Sequence, residues 1–308
     1  MTTRRSVVAG LATGALFGAG WAKAQDAAPQ DFVPLGMQKR QAQPYSPPEA
    51  PGRMTVPVLV NGQGPFPFVV DTGSNRTILS DTLASQLNLP AGRVLRVHAA
   101  TGAVSTGSVR VASLSVAKHT LADFDAPVLI RENIGALGML GIDVLAKQRI
   151  ELDFLKSRMT VSASRFRSEP GEVVVRAKSK YGQLLLIDSS VEGVPIYVII
   201  DTGGELTIGN YALRDMLAKR RAGVPEKVEV TGVSGDTVVA DLSFLPRVAL
   251  GQLFVTNQQI AYTDLYVFKQ FGLQAKPAML LGMSTLRHFD RVLIDFPGRE
   301  VSFAFGSI

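Results

Sequence analysis

The feature that most restricts the fold of this chain is an internal repeat. The segment PFVVDTGSNRTILS, which ends at Ser80, aligns without gaps with YVIIDTGGELTIGN, which ends at Asn210. In each copy an apolar run precedes Asp-Thr-Gly, so we expect Asp71 and Asp201 at the ends of two buried strands. A repeat of this kind predicts two similar structural units in one chain.

The repeat extends well beyond this motif. Three further pairs of segments recur in the same order: Thr101-Gly102 with Thr231-Gly232, Leu140-Gly141 with Leu281-Gly282, and RIELDF from Arg149 with RVLIDF from Arg291. The first pair lies in stretches rich in Gly, Ser and Val, which are typical of hairpins. Ser80 and Asn210 are each placed to cap a helix, the first extending to Leu87 and the second ending before Gly223.

Composition agrees with a two-lobed, mainly β protein. The chain has 308 residues, of which 46% are hydrophobic, enough for two cores. Its 29 Gly and 17 Pro break the apolar residues into short runs, which favours strands and turns. The chain has no cysteine, which excludes thiol catalysis and disulfides, and its three histidines lack metal-ligand spacing. We therefore expect no metal and no cofactor.

The first 24 residues have the pattern of an export signal. Arg4-Arg5 begins a stretch without acidic residues, and the apolar run that follows is shorter than the ~20 residues of a spanning helix. Ala22-Lys23-Ala24 fits a cleavage site, and the paired arginines favour the twin-arginine route. The mature protein is then periplasmic and has no membrane span. Residues 25–51 are rich in Pro, Gln and Ala and are interpreted as a tail or a propeptide.

Charge gives no support to nucleic-acid binding. The net charge is +6, but three of the basic residues lie in the export signal, and no dense Lys/Arg cluster is interleaved with aromatic residues. A nucleic-acid partner is therefore not expected.

These motifs make both halves similar to lobes of retropepsin-like aspartic peptidases, a group that includes retroviral proteases and their bacterial relatives. The phrases LSDTLASQLNLP and LLGMSTLRHFDRVLIDFPGREVSF resemble the bacterial members. The resemblance implies an N-terminal lobe over 52–165, a connector over 166–181 and a C-terminal lobe over 182–308. It also implies a pseudo-two-fold relation between the lobes, with one active site between them, as in pepsin-like enzymes.

The resemblance implies a catalytic dyad of Asp71 and Asp201. Two close carboxylates that share one proton can activate water and protonate a leaving amine without a metal. Residues expected to support the dyad follow each aspartate: Thr72, Gly73, Ser74, Thr202 and Gly203. Ser74 has no hydroxyl counterpart in the second copy, where residue 204 is Gly, so the two carboxyl groups are expected to differ in pKa.

Several assignments remain open at this stage. Thr101-Gly102 and Thr231-Gly232 are either flaps that close over substrate or ordinary hairpin turns. Asp143, Asp153 and Asp295 are interpreted as structural. The favoured function is an aspartic endopeptidase acting on extended peptides of exported or envelope proteins, as a monomer. The alternatives are a catalytically idle peptide-binding adaptor and a structural envelope protein. The sequence does not specify the cleavage preference, the pH optimum or whether residues 25–51 inhibit the enzyme.

Overall fold

Short strands dominate the protein, as the frequent turn-forming residues predict. The computed structural model describes residues 5–8, 54–164, 171–218 and 226–305. The predicted tail, 25–51, and all of the predicted export signal except 5–8 lie outside the described residues.

The N-terminal half consists of eleven described strands and three short helices. In chain order they are β1 Arg5–Val8, β2 Thr55–Val60, β3 Gln63–Val70, β4 Ile78–Ser80, α1 Asp81–Gln86, β5 Leu95–His98, β6 Ala103–Thr106, β7 Ser108–Val116, β8 His119–Leu129, α2 Arg131–Ile134, β9 Gly138–Leu140, α3 Ile142–Leu145, β10 Gln148–Asp153 and β11 Arg158–Ala163.

The C-terminal half repeats this order with additional strands at its start. Its elements are β12 Val173–Lys180, β13 Gln183–Leu186, β14 Ser189–Val191, β15 Val194–Pro195, β16 Tyr197–Ile200, β17 Ile208–Gly209, α4 Tyr211–Ala218, β18 Glu226–Thr231, β19 Thr237–Leu250, β20 Leu253–Tyr262, α5 Tyr266–Gln270, β21 Ala278–Leu281, α6 Met283–Leu286, β22 Arg291–Asp295 and β23 Glu300–Ala304.

The two halves have the same strand pairing around the predicted site. In the first, β3 is parallel to β9, and β4 is antiparallel to β9 and parallel to β8. In the second, β16 is parallel to β21, and β17 is antiparallel to β21 and parallel to β20. The sequence repeat is therefore a repeat of topology, and each Asp-Thr-Gly follows the equivalent central strand.

The N-terminal lobe is a closed barrel, with strand order β2-β3-β9-β4-β8-β7. Its first strand shows why the residues form it: Val56, Val58 and Val60 are buried, whereas Pro57 and Leu59 between them are exposed. Successive side chains of a strand point to opposite faces, so this alternation places all three valines in the core. The strand β1, within the predicted export signal, pairs in parallel with β18.

A sheet shared by both lobes joins them, in the order β12-β23-β22-β10-β11. The repeated segments RIELDF and RVLIDF form its central antiparallel pair, β10 and β22, with Arg149 opposite Asp295 and Asp153 opposite Arg291. Residues that are equivalent in the repeat thus exchange places across the pair, which is the register that a two-fold relation produces. One pair of repeated segments, β10 and β22, thus forms the junction between the lobes.

Both predicted helix caps are present. The Ser80 hydroxyl accepts a hydrogen bond from the Leu83 N–H at 3.1 Å and begins α1. The Asn210 side-chain oxygen accepts from the Leu213 N–H at 2.9 Å and begins α4, and it also accepts from the Ala278 N–H at 3.1 Å. Side-chain oxygens at these positions satisfy N–H groups that have no partner within the helix. None of the helices in the described part of the chain is long and apolar enough to span a membrane.

The connector differs from the prediction. Residues 166–181 contain the eight-residue strand β12, which pairs with β13 and with β23. Val175 and Ala177 are buried, and Arg176 and Lys178 between and beside them are exposed, which is the alternation of a half-buried strand. The strands of the C-terminal half therefore begin before residue 182. The sequence did not indicate this strand because two basic residues lie on its solvent face.

Candidate active site

The two aspartates lie where the central strands of the lobes end. Their N–H groups continue the parallel pairing, with Asp71 donating to the Leu140 carbonyl at 3.0 Å and Asp201 donating to the Leu281 carbonyl at 3.1 Å. Both residues are buried, each with 7% of its surface exposed. The sheets thus hold the backbone of each aspartate and bring the two side chains together between the lobes.

Two threonines lock the aspartate loops to each other. The Thr72 N–H donates to the Thr202 hydroxyl at 3.2 Å, and the Thr202 N–H donates to the Thr72 hydroxyl at 3.1 Å. Each hydroxyl in turn donates to the opposite lobe, Thr72 to the Ile200 carbonyl at 2.8 Å and Thr202 to the Val70 carbonyl at 2.7 Å. All four bonds cross between lobes, so neither loop can shift without disturbing the other.

Backbone N–H groups face both carboxylates. One oxygen of Asp71, Oδ1, accepts from the N–H groups of Gly73 at 2.7 Å and Ser74 at 3.0 Å. The Oδ1 of Asp201 accepts from Gly203 at 3.0 Å and Gly204 at 3.2 Å. In both loops one carboxylate oxygen, Oδ1, is held by two N–H groups.

Glycine is required after each threonine by close packing across the lobes. A Cβ atom at Gly73 would lie 2.9 Å from Oδ1 of Asp201, and one at Gly203 would overlap the carboxyl group of Asp71. Any larger residue would push the carboxyl groups apart. The short distance between the loops is therefore a direct consequence of the Asp-Thr-Gly motif.

Asp71 and Asp201 interact strongly enough to titrate as a pair. Burial, followed by the negative charge of Asp71, raises the pKa of Asp201 to about 7, against its ordinary value of 3.8. The N–H groups of Gly203 and Gly204 act in the opposite direction, and the side chain of Asp201 is also hydrogen-bonded to that of Asp71. Two carboxylates this close cannot both ionise readily, so the pair retains one proton over a wide pH range.

The hydroxyl of Ser74 does not contact the carboxyl group of Asp71, where it was expected. It donates to the Arg76 carbonyl at 2.9 Å, and only the backbone N–H of Ser74 contacts Asp71. The hydroxyl that Gly204 lacks is therefore used to shape the loop. The difference between Ser74 and Gly204 does not place an additional side-chain donor on one aspartate.

Two further threonines brace the aspartate loops against the apolar-apolar-Gly segments. Thr77 accepts from the Gly141 N–H at 3.1 Å, and its N–H and hydroxyl both donate to Asp143, at 2.9 and 2.7 Å. Thr207 accepts equivalently from the Gly282 N–H at 3.2 Å. Its N–H donates at 3.3 Å to the hydroxyl of Ser284, which stands where the first lobe has Asp143, and its own hydroxyl shares a hydrogen bond with Thr285. Asp143 is thus a brace and does not face the dyad.

Asp153 and Asp295 end the strands of the shared sheet and stabilise turns. Asp153 accepts from the Lys156 N–H at 3.0 Å, and Asp295 accepts from the Gly298 N–H at 2.9 Å. Asp295 also accepts from the Ser164 hydroxyl at 2.8 Å. Equivalent aspartates therefore perform the same structural task in both lobes.

A hairpin from each lobe lies over the dyad. In the first, which joins β5 to β6, the Ala99 N–H donates to the Gly102 carbonyl at 2.8 Å. In the second, which joins β18 to β19, the Gly232 N–H donates to the Asp236 carbonyl at 2.8 Å. The two predicted Thr-Gly pairs thus lie in hairpin loops, although at different places. Thr101-Gly102 ends its loop, whereas Thr231-Gly232 begins the other, because β5 ends at His98 and β18 continues to Thr231 itself.

Each loop contacts the opposite lobe. The Ala100 carbonyl accepts from the Val267 N–H, at the start of α5, at 3.3 Å. Val233 is buried in a cluster that includes Ile78 and Met139 of the N-terminal lobe. The loops also meet each other, since a Cβ atom at Gly232 would lie 3.1 Å from the Cβ of Thr101. The hairpins therefore form a roof held by both lobes.

The cavity beneath this roof is small. It has a volume of about 30 Å³, and its walls include both aspartates together with Ala99, Ala100 and Val233. A space of this size accommodates water but no peptide. The hairpins must separate before a substrate can reach the carboxyl groups.

Sequence reasoning missed four residues of this site. Ala99, Ala100 and Val233 line the cavity, and the Gln183 side-chain amide donates to the Gly73 carbonyl at 2.6 Å. Small apolar residues in a hairpin loop carry no distinctive signal. Ala99 and Ala100 are the first two residues after β5, and Gly232 and Val233 are the first two after β18. This correspondence can be found only by counting from the ends of the strands.

The described residues provide no cluster of metal-ligating side chains. Within residues 54–164, 171–218 and 226–305, no group of three His, Asp or Glu side chains is placed to hold a metal ion. Two carboxylates, one proton and a water molecule are sufficient for general acid–base hydrolysis.

Comparison with known proteins matches both halves to one family. A family described as aspartyl protease matches residues 56–144 and residues 187–285. The two matched ranges each contain one Asp-Thr-Gly and together cover more than half of the chain. No curated protein matches the chain.

Proposed function

The chain belongs to the aspartyl protease family, and we propose that it is an endopeptidase with a single catalytic dyad, Asp71 and Asp201. One observation carries this proposal. Each half of the chain contributes one buried carboxyl group, the two groups are hydrogen-bonded, and burial together with the charge of Asp71 raises the pKa of Asp201 to about 7. A structural role alone does not explain two carboxylates held together at this energetic cost.

The reaction that this geometry supports uses the two carboxyl groups as base and acid. The ionised member removes a proton from water, and the protonated member donates a hydrogen bond to the scissile carbonyl oxygen. The hydroxide so formed adds to the carbonyl carbon. Breaking of the C–N bond then releases the amine, which takes a proton from the dyad. The pair ends the cycle with one proton, as it began.

Substrate enters as an extended segment between the dyad and the two hairpins. The cavity of about 30 Å³ holds no peptide, so the contact between Thr101 and Gly232 opens and then closes over the bound chain. An extended peptide can hydrogen-bond to both hairpins while its side chains alternate between the lobes. The closed roof excludes bulk water from the reacting groups.

The proposed substrates are exported or envelope proteins. The paired arginines Arg4-Arg5, the short apolar run and Ala22-Lys23-Ala24 support export by the twin-arginine route to the periplasm. Separating the cytoplasmic and periplasmic fractions of cells that produce the wild-type protein tests this placement. Cells that produce the Arg4→Lys/Arg5→Lys variant are the control. Retention of the variant precursor in the cytoplasm is expected, and unchanged export would contradict the route.

Peptide-library digestion tests the proposed activity. Protein lacking residues 1–24 is incubated with a mixed library beside the Asp71→Asn variant, and new termini are identified by mass spectrometry. We expect internal cleavages that are absent with the variant. If neither protein cleaves, but both bind extended peptides, the chain is a peptide-binding adaptor on the same fold.

A further inference from the structure

A second, larger cavity lies beside the active-site cleft in the N-terminal lobe. It has a volume of about 660 Å³ and is open to solvent. Three arginines line it, Arg76, Arg93 and Arg110, together with two aspartates, Asp123 and Asp125. The reaction described above uses none of these residues.

Two of the three arginines form no salt bridge with any residue that the structure describes. Arg93 forms a salt bridge with Asp125 at 3.0 Å, with 74% of the Arg93 side chain exposed and 18% of that of Asp125. Among the described residues, no carboxylate lies within salt-bridge distance of Arg76 or Arg110. Asp123 is exposed at the rim, where water screens its charge. Asp125 also lies opposite Arg110 in the β7–β8 pair, so the three arginines and two aspartates leave the lining with a formal excess of one positive charge.

Arg76 also has an unsatisfied donor. Its Nε atom is buried and, in the described part of the chain, has no hydrogen-bond partner. A buried donor without an acceptor is unfavourable, so this side chain is not held by an acceptor at Nε. A guanidinium group has a planar fork of donors that matches a carboxylate in two parallel hydrogen bonds.

The position of Arg76 connects this cavity to the dyad. Arg76 lies in the loop that carries Asp71, and its carbonyl accepts the Ser74 hydroxyl at 2.9 Å. Ser74 itself lines the cavity at the dyad. Because an extended peptide advances by about 3.3 Å per residue, a peptide that crosses the dyad can bring a side chain a few residues from the scissile bond to Arg76.

The C-terminal lobe has a different chemistry at the equivalent place. Leu206 aligns with Arg76 in the repeat and is 7% exposed, packed in the apolar core of its lobe. The neighbouring Glu205 forms a salt bridge with Arg287. At this pair of equivalent positions, the N-terminal lobe thus has an arginine with an unsatisfied donor where the C-terminal lobe has a buried leucine.

We propose that the cavity lined by Arg76 and Arg110 binds the carboxylate of a substrate side chain, so that the enzyme selects Asp or Glu on one side of the scissile bond. This inference rests on the proposed endopeptidase function. Arg76 is its specificity-determining residue, and Arg110 adds positive charge to the same cavity. The substrates are therefore peptides with an acidic residue a few positions from the cleaved bond.

The test uses one cleavable peptide varied at a single position at a time. Glu, Gln and Lys are placed in turn at each of the four positions on either side of the scissile bond, and kcat/KM is measured for the purified protein. We expect Glu to exceed Gln by about tenfold at one position, on one side only, since a charge-assisted bond is worth ~1.4 kcal/mol. Arg76→Leu, which copies Leu206, reduces the Glu/Gln ratio at that position to about one.

Charge controls distinguish a local contact from a general field. Arg176→Gln removes one positive charge from an exposed strand position outside the cavity and should leave the Glu/Gln ratio unchanged. Arg76→Glu should reverse the preference to Lys. A wild-type ratio near one at all eight positions would overturn the proposal, as would a ratio that Arg76→Leu does not alter.

A binding measurement separates this proposal from the catalytic one. Asp201→Asn protein is titrated calorimetrically with the Glu and Gln peptides. Tighter binding of the Glu peptide that is lost with Arg76→Leu added supports the cavity even if wild-type protein cleaves nothing. Cleavage of Glu and Gln peptides at equal rates, with equal affinities, would leave the endopeptidase and remove the acidic subsite. Competition by inorganic phosphate without any Glu preference would mark a small-anion site and contradict the proposal.

Discussion

At the scale of single residues, the site depends on two carboxyl groups that are kept from water and close to each other. The glycines Gly73 and Gly203 permit this distance, and the threonines Thr72 and Thr202 maintain it through four hydrogen bonds between the lobes. The raised pKa of Asp201 follows from burial and from its charged neighbour. The buried pair of carboxyl groups therefore lowers the folding stability at neutral pH while it provides the acid and base of the proposed reaction. Both effects can be measured.

The pH dependence of activity follows from the proton that the pair retains. The dyad needs one protonated member to hydrogen-bond the scissile carbonyl, and the pKa of Asp201 is raised to about 7 by burial and by Asp71. We expect kcat/KM to fall as the pH rises through about 7. A pH profile of peptide cleavage between pH 4 and 9 measures this. Activity that continues to rise above pH 8 would contradict the shared proton.

Asp201→Asn is expected to stabilise the fold at neutral and alkaline pH. Between 3.8, its ordinary pKa, and about 7, the folded protein holds a proton at Asp201 that the unfolded chain has released. Stability therefore falls as the pH rises through this window, and the neutral Asn side chain removes the loss. We predict a Tm roughly 5–10 °C above wild type at pH 8 and no difference near pH 4. Equal Tm values at both pH values would show that the pair is not strained.

At the scale of elements, each Asp-Thr-Gly works because β3 and β16 end at the same place in equivalent sheets. The hairpins β5–β6 and β18–β19 lie over that place, and each contacts the other lobe. Ala100 bonds to α5, and Val233 packs into the N-terminal core. Opening of the roof therefore requires these contacts with the lobes to break.

A reversible cross-link tests whether the hairpins gate the site. The chain has no cysteine, so Thr101→Cys/Gly232→Cys introduces the only possible disulfide. A Cβ at Gly232 would lie 3.1 Å from that of Thr101, slightly inside the ~3.5–4.5 Å of a disulfide, so a small separation is enough. We expect cleavage to be lost on oxidation and restored by dithiothreitol. The two single-cysteine variants are the controls, and full activity of the oxidised double variant would show that substrate enters without the hairpins parting.

Much of the fold and the dyad could be predicted from the sequence, because the repeat placed equivalent residues in one frame. The aspartates, the helix caps at Ser80 and Asn210 and the mainly β architecture depend on local motifs. The strand β12 was missed because alternating basic residues disguised it. The orientation of the Ser74 hydroxyl and the cavity beside Arg76 depend on contacts between segments distant in sequence, which no local pattern specifies.

At the scale of the whole molecule, one chain contains both halves of the proposed site. The pair β10–β22 joins the lobes through the repeated segments, with Arg149 opposite Asp295 and Asp153 opposite Arg291. A sheet shared in this way gives the two aspartates a fixed relation without a second chain. We therefore propose that the monomer is active.

Mixing two inactive variants tests that proposal. If lobes pair between chains, Asp71→Asn and Asp201→Asn proteins, unfolded together and refolded, would form some sites with both aspartates. We expect no activity above that of either variant refolded alone, with the co-refolded wild-type protein as the positive control. Recovery of about a quarter of the wild-type activity, the fraction expected for random pairing of two lobes from two variants, would show that the site forms between chains.

The central claim, that Asp71 and Asp201 form one catalytic pair, is tested most directly by the kcat/KM of peptide cleavage for each single Asn variant. Both variants are expected to lose about 10³-fold or more of the wild-type value, because each removes half of an acid–base unit that works only as a pair. Circular dichroism and thermal unfolding establish that both remain folded. Cleavage near the wild-type rate by either folded variant would contradict the dyad.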